Sequence, residues 1–230
     1  MINTTKISTI SSIIKKNIET KYLKIYKNDE MFFIKNNEGN QNLSFWKNTY
    51  SIWENETFEI LDKYLSQDKI FIVIGEWIGT TAMYGSRKSK HVYSIESDSI
   101  SCNDILMNLK TNCVENYTVI NKAIFNVDNL KLNDDSTSHI YNNENTITLE
   151  QIIQTYQINI PEISLIKVDI EGGEENILND LFDMRVKNNI PLYISFHYTW
   201  WKDKNLERFG FLSENVKNQI INNPFISIFF

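Results

Sequence analysis

Two glycines, Gly75 and Gly79, follow a short apolar run at residues 71–74 and precede two threonines, Thr80 and Thr81. The run has the β-branched composition of a buried strand, and the threonine hydroxyls are typical of a helix start. Glycines at a strand-to-helix turn let the backbone pass close to a ligand and direct helix N–H groups toward it. The stretch therefore predicts a ligand-binding turn, although paired glycines also occur in ordinary tight turns.

An acid follows this turn at a distance typical of nucleotide binding. Glu96 ends a second apolar run, residues 92–95, and lies 21 residues after Gly75. In nucleotide-binding βαβ units, an acid about 20 residues beyond the first glycine accepts hydrogen bonds from the ribose hydroxyls. We therefore predict that Glu96 holds a ribose. The pattern Gly75-x-x-x-Gly79 differs from the dinucleotide fingerprint, so a dehydrogenase ranks below the other interpretations.

Three residues capable of acid–base chemistry come after two later apolar runs. Asp169 and Glu171 follow residues 165–168, and His197 follows residues 192–196. Carboxyl ends of parallel strands meet at one edge of a sheet, and an imidazole with a pKa of about 6.5 could take a proton from a hydroxyl there. His197 could instead be a structural histidine bonded to a backbone carbonyl. The three side chains would also suit magnesium or manganese, but the spacing demands no metal and none is predicted.

The composition fits one globular domain without a nucleic-acid partner. The chain has 230 residues, 42% of them hydrophobic and 23% charged, which is enough for one sizeable core. Its formal net charge of −6 argues against nucleic-acid binding, which requires a basic surface. The two cysteines, Cys102 and Cys113, suggest neither a disulfide framework nor a zinc site. No signal-peptide core and no membrane span of about 20 apolar residues is present, so we expect a soluble cytoplasmic protein.

The order of the predicted elements indicates an α/β fold with an N-terminal extension. Residues 1–45 form that extension, an amphipathic helix followed by a hairpin at residues 22–27 and 31–35. From residue 46 to 230, strands alternate with helices, which specifies a parallel sheet with helices on both faces. Strands are predicted at residues 71–74, 92–95, 118–120, 165–168, 192–196 and 225–230, with a weaker one at 130–132, and helices near Asn55, Thr80, Ser99, Thr148, Ile177 and Ser213.

Several separate motifs between residues 46 and 197 together resemble the FkbM-type methyltransferases. They are Trp53-Glu54-x-x-Thr57, IGEWIG at 74–79, VYSIE at 92–96, LIKVDIEGGE at 165–174 and SFH at 195–197. The resemblance implies a class I methyltransferase domain at residues 46–230, a three-layer Rossmann-like sheet with helices on both faces. It also implies S-adenosylmethionine as cofactor and a hydroxyl of a sugar, glycan or related small molecule as the methyl acceptor.

The resemblance also implies roles for individual residues. Asp169 would lie near the cofactor and its methyl group, with Glu171 and His197 toward the acceptor as catalytic residues. Contacts with the cofactor are implied for Glu54, Thr57, Gly75, Glu76, Trp77, Gly79, Glu96, Asn121, Ala123 and Asp169.

Two positions depart from the family pattern. Val73 stands where the family usually has an acid, two residues before the first glycine, and Glu76 stands where it usually has a small residue. In class I enzymes that acid helps to organise the methionine end of the cofactor, and Glu76 could replace it because it lies in the same loop. The alternative is a degenerate domain that has lost the cofactor and serves as a binding or scaffolding module.

The end of the chain raises the question of what covers the sheet edge. A class I sheet normally continues with a sixth strand and an antiparallel seventh, whereas here only residues 225–230 can supply the sixth. Without a seventh strand, backbone groups along the fifth would remain unpaired. We therefore expect either a domain of a longer polypeptide or a partner, most simply a second copy in a homodimer. Within one chain, the hairpin at residues 22–35 could cover the edge instead.

Overall fold

The computed structural model describes residues 21–37, 39–125, 145–170, 174 and 177–195, and the backbone of two short strands at 196–197 and 228–229. The predicted N-terminal helix, the weak strand at 130–132, the helix near Ser213 and Glu171 lie outside the described residues. The proposed division of the chain at residues 45 and 46 stays a prediction.

The centre of the protein is a parallel sheet of five strands. They are β3 Ile70–Ile74, β4 His91–Glu96, β5 Tyr117–Asn121, β8 Ile163–Val168 and β9 Leu192–Ile194. Their spatial order is β5-β4-β3-β8-β9, all four pairings are parallel, and β3, the first of the five in sequence, lies in the middle. This confirms the α/β architecture expected from the alternation of apolar runs and helices.

Helices cover both faces of the sheet because side chains alternate along each strand. Ile72 of β3 faces helices α5, Leu149–Thr155, and α6, Leu178–Asn188, in one apolar cluster. Phe71 and Val73 face the opposite way, toward a second cluster that contains three other helices. Those helices are α2 Asn55–Tyr64, α3 Thr80–Ser86 and α4 Ser99–Thr111. Short helical turns complete the described part, α1 Leu43–Asn48 and two 3-10 turns, Tyr50–Ile52 and Ile160–Glu162.

The N-terminal hairpin packs on the second of these faces, which we call the hairpin face. Its strands, β1 Tyr22–Lys27 and β2 Glu30–Lys35, pair antiparallel around a turn in which Asn28 has a φ of 49°. Both backbone groups of Phe33 bond to the Asn112 side chain, its N–H at 2.8 Å and its carbonyl at 2.9 Å. In the described residues the hairpin is a separate two-stranded sheet, so it does not pair with the fifth strand as a cover.

The fifth strand of the sheet is shorter than predicted and continues after a break. It ends at Ile194, Ser195 donates its N–H to the Val168 carbonyl at 2.9 Å, and a separate strand, β10 Phe196–His197, follows. β10 pairs in parallel with β11, Ile228–Phe229. The position beside His197 is therefore taken by the predicted sixth strand itself, and the expectation of bare backbone was wrong for these two residues.

One local feature differs from the sequence prediction, and another confirms it. A short parallel pair, β6 Ala123–Ile124 and β7 Thr146–Ile147, was not predicted, because two-residue strands leave no periodic pattern. The cap of α5 was predicted, and Thr148 forms a full capping box with Gln151. No helix in the described residues combines the length and the apolar character of a membrane-crossing segment.

Candidate active site

The glycine loop, residues 75–79, brings the ends of β3 and β8 into direct contact. Gly75 has a φ of 78°, and a Cβ added there would lie 1.8 Å from the carbonyl oxygen of Asp169. Gly79 has a φ of 91°, and Trp77 between them has a φ of 53°. Only glycine combines this left-handed conformation with so close an approach of two backbones. The loop is therefore a fixed structure whose Trp77 side chain is 42% exposed.

Glu96 joins this loop to the end of the neighbouring strand β4. One carboxylate oxygen accepts the Trp77 N–H at 3.0 Å, and the other accepts the Asp98 N–H at 2.9 Å. The Ser97 hydroxyl also donates to this carboxylate, at 3.4 Å. An ionised carboxylate offers about four acceptor positions, so one remains for a further donor such as a ribose hydroxyl, and a second becomes available if the Ser97 hydroxyl turns away. The Glu96 side chain is half-exposed at the carboxyl edge of the sheet. This geometry fits the predicted ribose contact, which itself stays a prediction.

Asn121 and Cys102 hold the backbone around Glu96. The Asn121 amide donates to the carbonyls of Glu96 and Ser97, both at 3.0 Å, and the Cys102 thiol donates to the Glu96 carbonyl at 3.3 Å. Burial, followed by the charge of Glu96, raises the pKa of Cys102 to about 11, so this thiol stays protonated. The structure thus gives Asn121 a positioning contact at the strand end, and Ala123 lies two residues further on, at the start of β6.

Glu76 is turned into the protein and caps helix α3. It is 2% exposed, and its carboxylate accepts the N–H groups of Thr81 at 2.7 Å and Ala82 at 2.6 Å. The Thr81 hydroxyl bonds to its other oxygen, whereas neither Thr80 nor Gly79 caps the helix through a side chain. The predicted start of the helix was therefore right, but a carboxylate and not the threonine hydroxyls forms its cap. Contact between Glu76 and the cofactor stays a prediction, with its carboxylate engaged elsewhere in this structure.

Lys167 is a charged residue of the site that the sequence prediction missed. It is 2% exposed, pairs with Val73 across the β3–β8 ladder, and its Nζ lies 2.8 Å from Oδ2 of Asp169. Burial opposes its charge, but Asp169, Glu54 and Glu76 outweigh that effect and raise the pKa of Lys167. The signal was available in the sequence, since a lysine inside an apolar parallel strand must find a buried partner.

The start of α2 and the strand β9 add three groups to the same region. Glu54 has a φ of 43°, and its Oε2 accepts the Thr57 hydroxyl at 3.0 Å. Thr57 also lies 2.8 Å from the Tyr193 hydroxyl of β9. Because Thr57 has one proton and gives it to Glu54, Tyr193 must donate to Thr57. Burial raises the pKa of Tyr193, which keeps that donor protonated.

The structure therefore arranges the predicted site residues in two groups at the carboxyl edge of the sheet. The first group consists of Asp169, Glu54 and Glu76, whose charges act on the buried Lys167 ammonium, and of Thr57, which is bonded to Glu54. The second borders the exposed Trp77 and consists of Gly75, Trp77, Gly79, Glu96 and Asn121. Of the predicted catalytic residues, Glu171 lies outside the described residues, and His197 is described only as a strand residue. Within the described residues, no three His, Cys, Asp or Glu side chains lie close enough together to hold a metal ion.

Glu76 leads to a prediction about pH. Burial raises its pKa from 4.5 to about 7, against the opposing effects of the Thr81 and Ala82 hydrogen bonds and of Lys167. Between these values the unfolded chain has released the proton that the folded protein keeps, so stability should fall as the pH rises from 4.5 to about 7. The difference corresponds to about 3 kcal/mol. In Glu76→Gln, the amide oxygen can accept the same two N–H groups and the NH2 group can donate to the Thr81 hydroxyl, so this loss should disappear.

The measurement is urea unfolding of the wild type and of Glu76→Gln at several pH values between 4.5 and 7.5. Other titrating groups contribute equally to both proteins, so the difference between the two free energies isolates Glu76. We expect that difference to grow in favour of the variant up to about pH 7 and then to level off. Parallel profiles for the two proteins would show that Glu76 does not change its charge in this range.

Comparisons with known proteins assign this chain to a family. The family model of the methyltransferase FkbM domain matches residues 54–218. No match is found among the curated proteins. Among solved structures, an rRNA methylase from Streptococcus thermophilus is similar at 14% identity and a TM-score of 0.43, covering 70% of this chain and 80% of its own. The protein SMU.1697c from Streptococcus mutans, solved in complex with SAH, is similar at 14% identity and a TM-score of 0.45, with 70% and 82% covered. With the family model matching most of its length, this chain belongs to the FkbM methyltransferase domain family.

Proposed function

We propose that this S-adenosylmethionine-dependent methyltransferase transfers its methyl group to a hydroxyl of a sugar, a glycan or a related small molecule. The observation that carries the proposal is the joining of three strand ends at one edge. Gly75 donates its N–H to the Ile95 carbonyl at 2.8 Å, and Asp169 donates its N–H to the Ile74 carbonyl at 2.9 Å. Open parallel sheets bind ligands at this edge, outside the carboxyl ends of their strands.

The residues at this edge fit S-adenosylmethionine, whose use the family implies. Gly75 and Gly79 give the loop its left-handed conformations, and Glu96 retains an acceptor position for a ribose hydroxyl. Trp77 presents an exposed aromatic ring beside these groups. The carboxylate of Asp169 is 13% exposed and is held by Lys167, so its position at the carboxyl edge of the sheet is fixed. These residues would hold the nucleoside and the methionine part of the cofactor.

The cofactor supplies an electrophilic methyl group on a sulfonium centre, and the protein has to align a nucleophile with it. A hydroxyl is a weak nucleophile until a base accepts its proton within hydrogen-bond reach. We assign this role to His197 or Glu171 on the acceptor side, with Asp169 positioning groups near the methyl. The acidic character of this edge also suits a neutral acceptor better than a phosphate-rich one, since like charges repel. A nucleic acid is therefore not the proposed substrate.

We expect His197→Ala and Glu171→Ala to keep SAH binding nearly intact. Turnover should fall by about 10²- to 10⁴-fold in whichever variant has lost the base. Isothermal titration measures SAH binding. Turnover is measured by the transfer of a labelled methyl group from S-adenosylmethionine to sugars and glycans. Label released by mild alkali comes from a methyl ester and indicates a carboxyl acceptor, whereas label that survives alkali on an acceptor without an amino group is a methyl ether and supports a hydroxyl acceptor. Full turnover in both variants would remove both residues from the mechanism.

A second candidate function is a binding or scaffolding module, and one observation favours it. Val73 is fully buried among apolar side chains, and the Glu76 carboxylate is engaged with helix α3. In this second candidate, neither residue would supply the acid that class I enzymes use at the methionine end of the cofactor. Titration of the wild-type protein with SAH separates the two candidates. Measurable heat of binding supports the enzyme, and its absence at high micromolar SAH supports the module.

A further inference from the structure

Lys27, at the end of the hairpin strand β1, is buried and points toward the site. It is 1% exposed, and its Nζ donates to the Trp53 carbonyl at 2.6 Å and to Oδ1 of Asn55 at 2.7 Å. The same ammonium lies 4.3 Å from the centre of the Phe58 ring. A buried ammonium needs such partners, because an unpaired charge away from water is strongly disfavoured. Lys27 precedes the residues that the family model matches.

The two acceptors of Lys27 lie on either side of Glu54. Glu54 has a left-handed backbone, with a φ of 43°, which a non-glycine residue adopts only at a cost of about 1–3 kcal/mol. Bonds to the residue before it and the residue after it hold the chain in that conformation. Glu54 in turn accepts the Thr57 hydroxyl and contributes to the charge around Lys167.

The hairpin that carries Lys27 is itself firmly attached to the domain. Asn112 bonds both backbone groups of Phe33, and the Asn28 amide donates to Oδ2 of Asp62 at 3.1 Å and to the Tyr84 hydroxyl at 3.2 Å. The hairpin therefore offers a rigid base from which Lys27 can fix the segment at residues 53–55. A charged side chain from a flexible extension could not do this.

We propose that Lys27 is a positioning residue of the methyltransferase site, which acts on cofactor binding by holding Glu54 in place. The proposal rests on the proposed function, since it requires that the region around Glu54 and Lys167 binds the cofactor. Through Lys27, the hairpin is part of the catalytic unit and not a separate appendage.

The test compares SAH affinity in Lys27→Met with that in a control, Lys24→Met. Methionine keeps the length of the side chain and its packing on Phe58 but donates no hydrogen bond. We expect the dissociation constant for SAH to rise by about 10- to 100-fold in Lys27→Met, as when groups that orient a ligand-binding residue are removed. Lys24 lies on the exposed side of the same strand, over the Tyr26 ring. Its replacement should leave the constant unchanged.

A double-mutant cycle with Glu54→Ala distinguishes positioning from general support of the fold. If Lys27 acts through Glu54, adding Lys27→Met to Glu54→Ala should change the dissociation constant by less than about threefold. Independent effects that multiply in the double variant would overturn the proposal, as would unchanged SAH binding in Lys27→Met.

A second variant tests the same contact where Lys27→Met fails to fold. Asn55→Ala removes one acceptor of Lys27 at an exposed position and should weaken SAH binding by about 2- to 10-fold. In that case, an Asn55→Ala protein that binds SAH with wild-type affinity would overturn the proposed role of Lys27. Absence of SAH binding in the wild type would instead contradict the proposed function.

Discussion

Replacing Glu96 with alanine should weaken SAH binding by about 10²- to 10⁴-fold. A carboxylate that accepts two ribose hydroxyls makes two charge-assisted hydrogen bonds, each worth roughly 1.5–3 kcal/mol. The same carboxylate also bonds the N–H groups of Trp77 and Asp98, so its loss frees the glycine loop as well. Isothermal titration with SAH measures the effect. Glu96→Gln, which keeps the size and one acceptor oxygen, should lie between the wild type and Glu96→Ala.

A matched control for this prediction is Glu115→Ala. Glu115 is exposed and lies just before β5, at the amino edge of the sheet and away from the proposed site. The Glu115→Ala substitution removes one negative charge, as Glu96→Ala does. Any change in SAH affinity through long-range electrostatics would therefore appear in both variants. An affinity in Glu96→Ala equal to that of this control would place the ribose elsewhere.

The second large effect is expected from Gly75→Ala, which should destabilise the fold by more than about 4 kcal/mol. The added methyl group would meet the Asp169 carbonyl oxygen at 1.8 Å and its carbonyl carbon at 2.6 Å, in a conformation with a φ of 78°. Both obstacles are backbone atoms, so β3 and β8 would have to separate at the site. Urea unfolding measures the stability, and titration with SAH should show that binding is lost.

Two other glycines separate the contributions to this effect. Gly79→Ala introduces backbone strain at a φ of 91°, but its Cβ would lie 3.4 Å from the nearest atom, so a cost of about 1–2 kcal/mol is expected. Gly39→Ala has neither problem, since its nearest neighbour is 4.0 Å away. The three variants should therefore rank in the order Gly75, Gly79, Gly39 from the largest cost to the smallest. Near-equal stabilities for Gly75→Ala and Gly39→Ala would contradict the close contact between β3 and β8.

The sequence by itself determined the layout of the sheet and the group of site residues around Gly75 and Glu96. Buried parallel strands require apolar runs, and the runs at residues 71–74, 92–95 and 165–168 lie inside β3, β4 and β8. The turn between β3 and α3 needs a left-handed conformation, which Gly75 reveals directly. The position of Glu96 at the end of β4 follows from the same local rules. Each of these features depends on residues close together in the sequence.

Only the tertiary structure decided where the charged side chains point and what they bond. Glu76 lies in the loop expected to contact the cofactor, but helix α3 begins beside it and takes its carboxylate as a cap. The sequence alone could have paired Lys167 with the nearby Asp169, but only the fold adds the charges of Glu54 and Glu76 from two distant segments. Lys27 reaches residues 53 and 55 because the hairpin packs on that face of the sheet. A buried charge must be paired where the folded chain supplies a partner, and partners that are distant in sequence leave no local pattern to predict from.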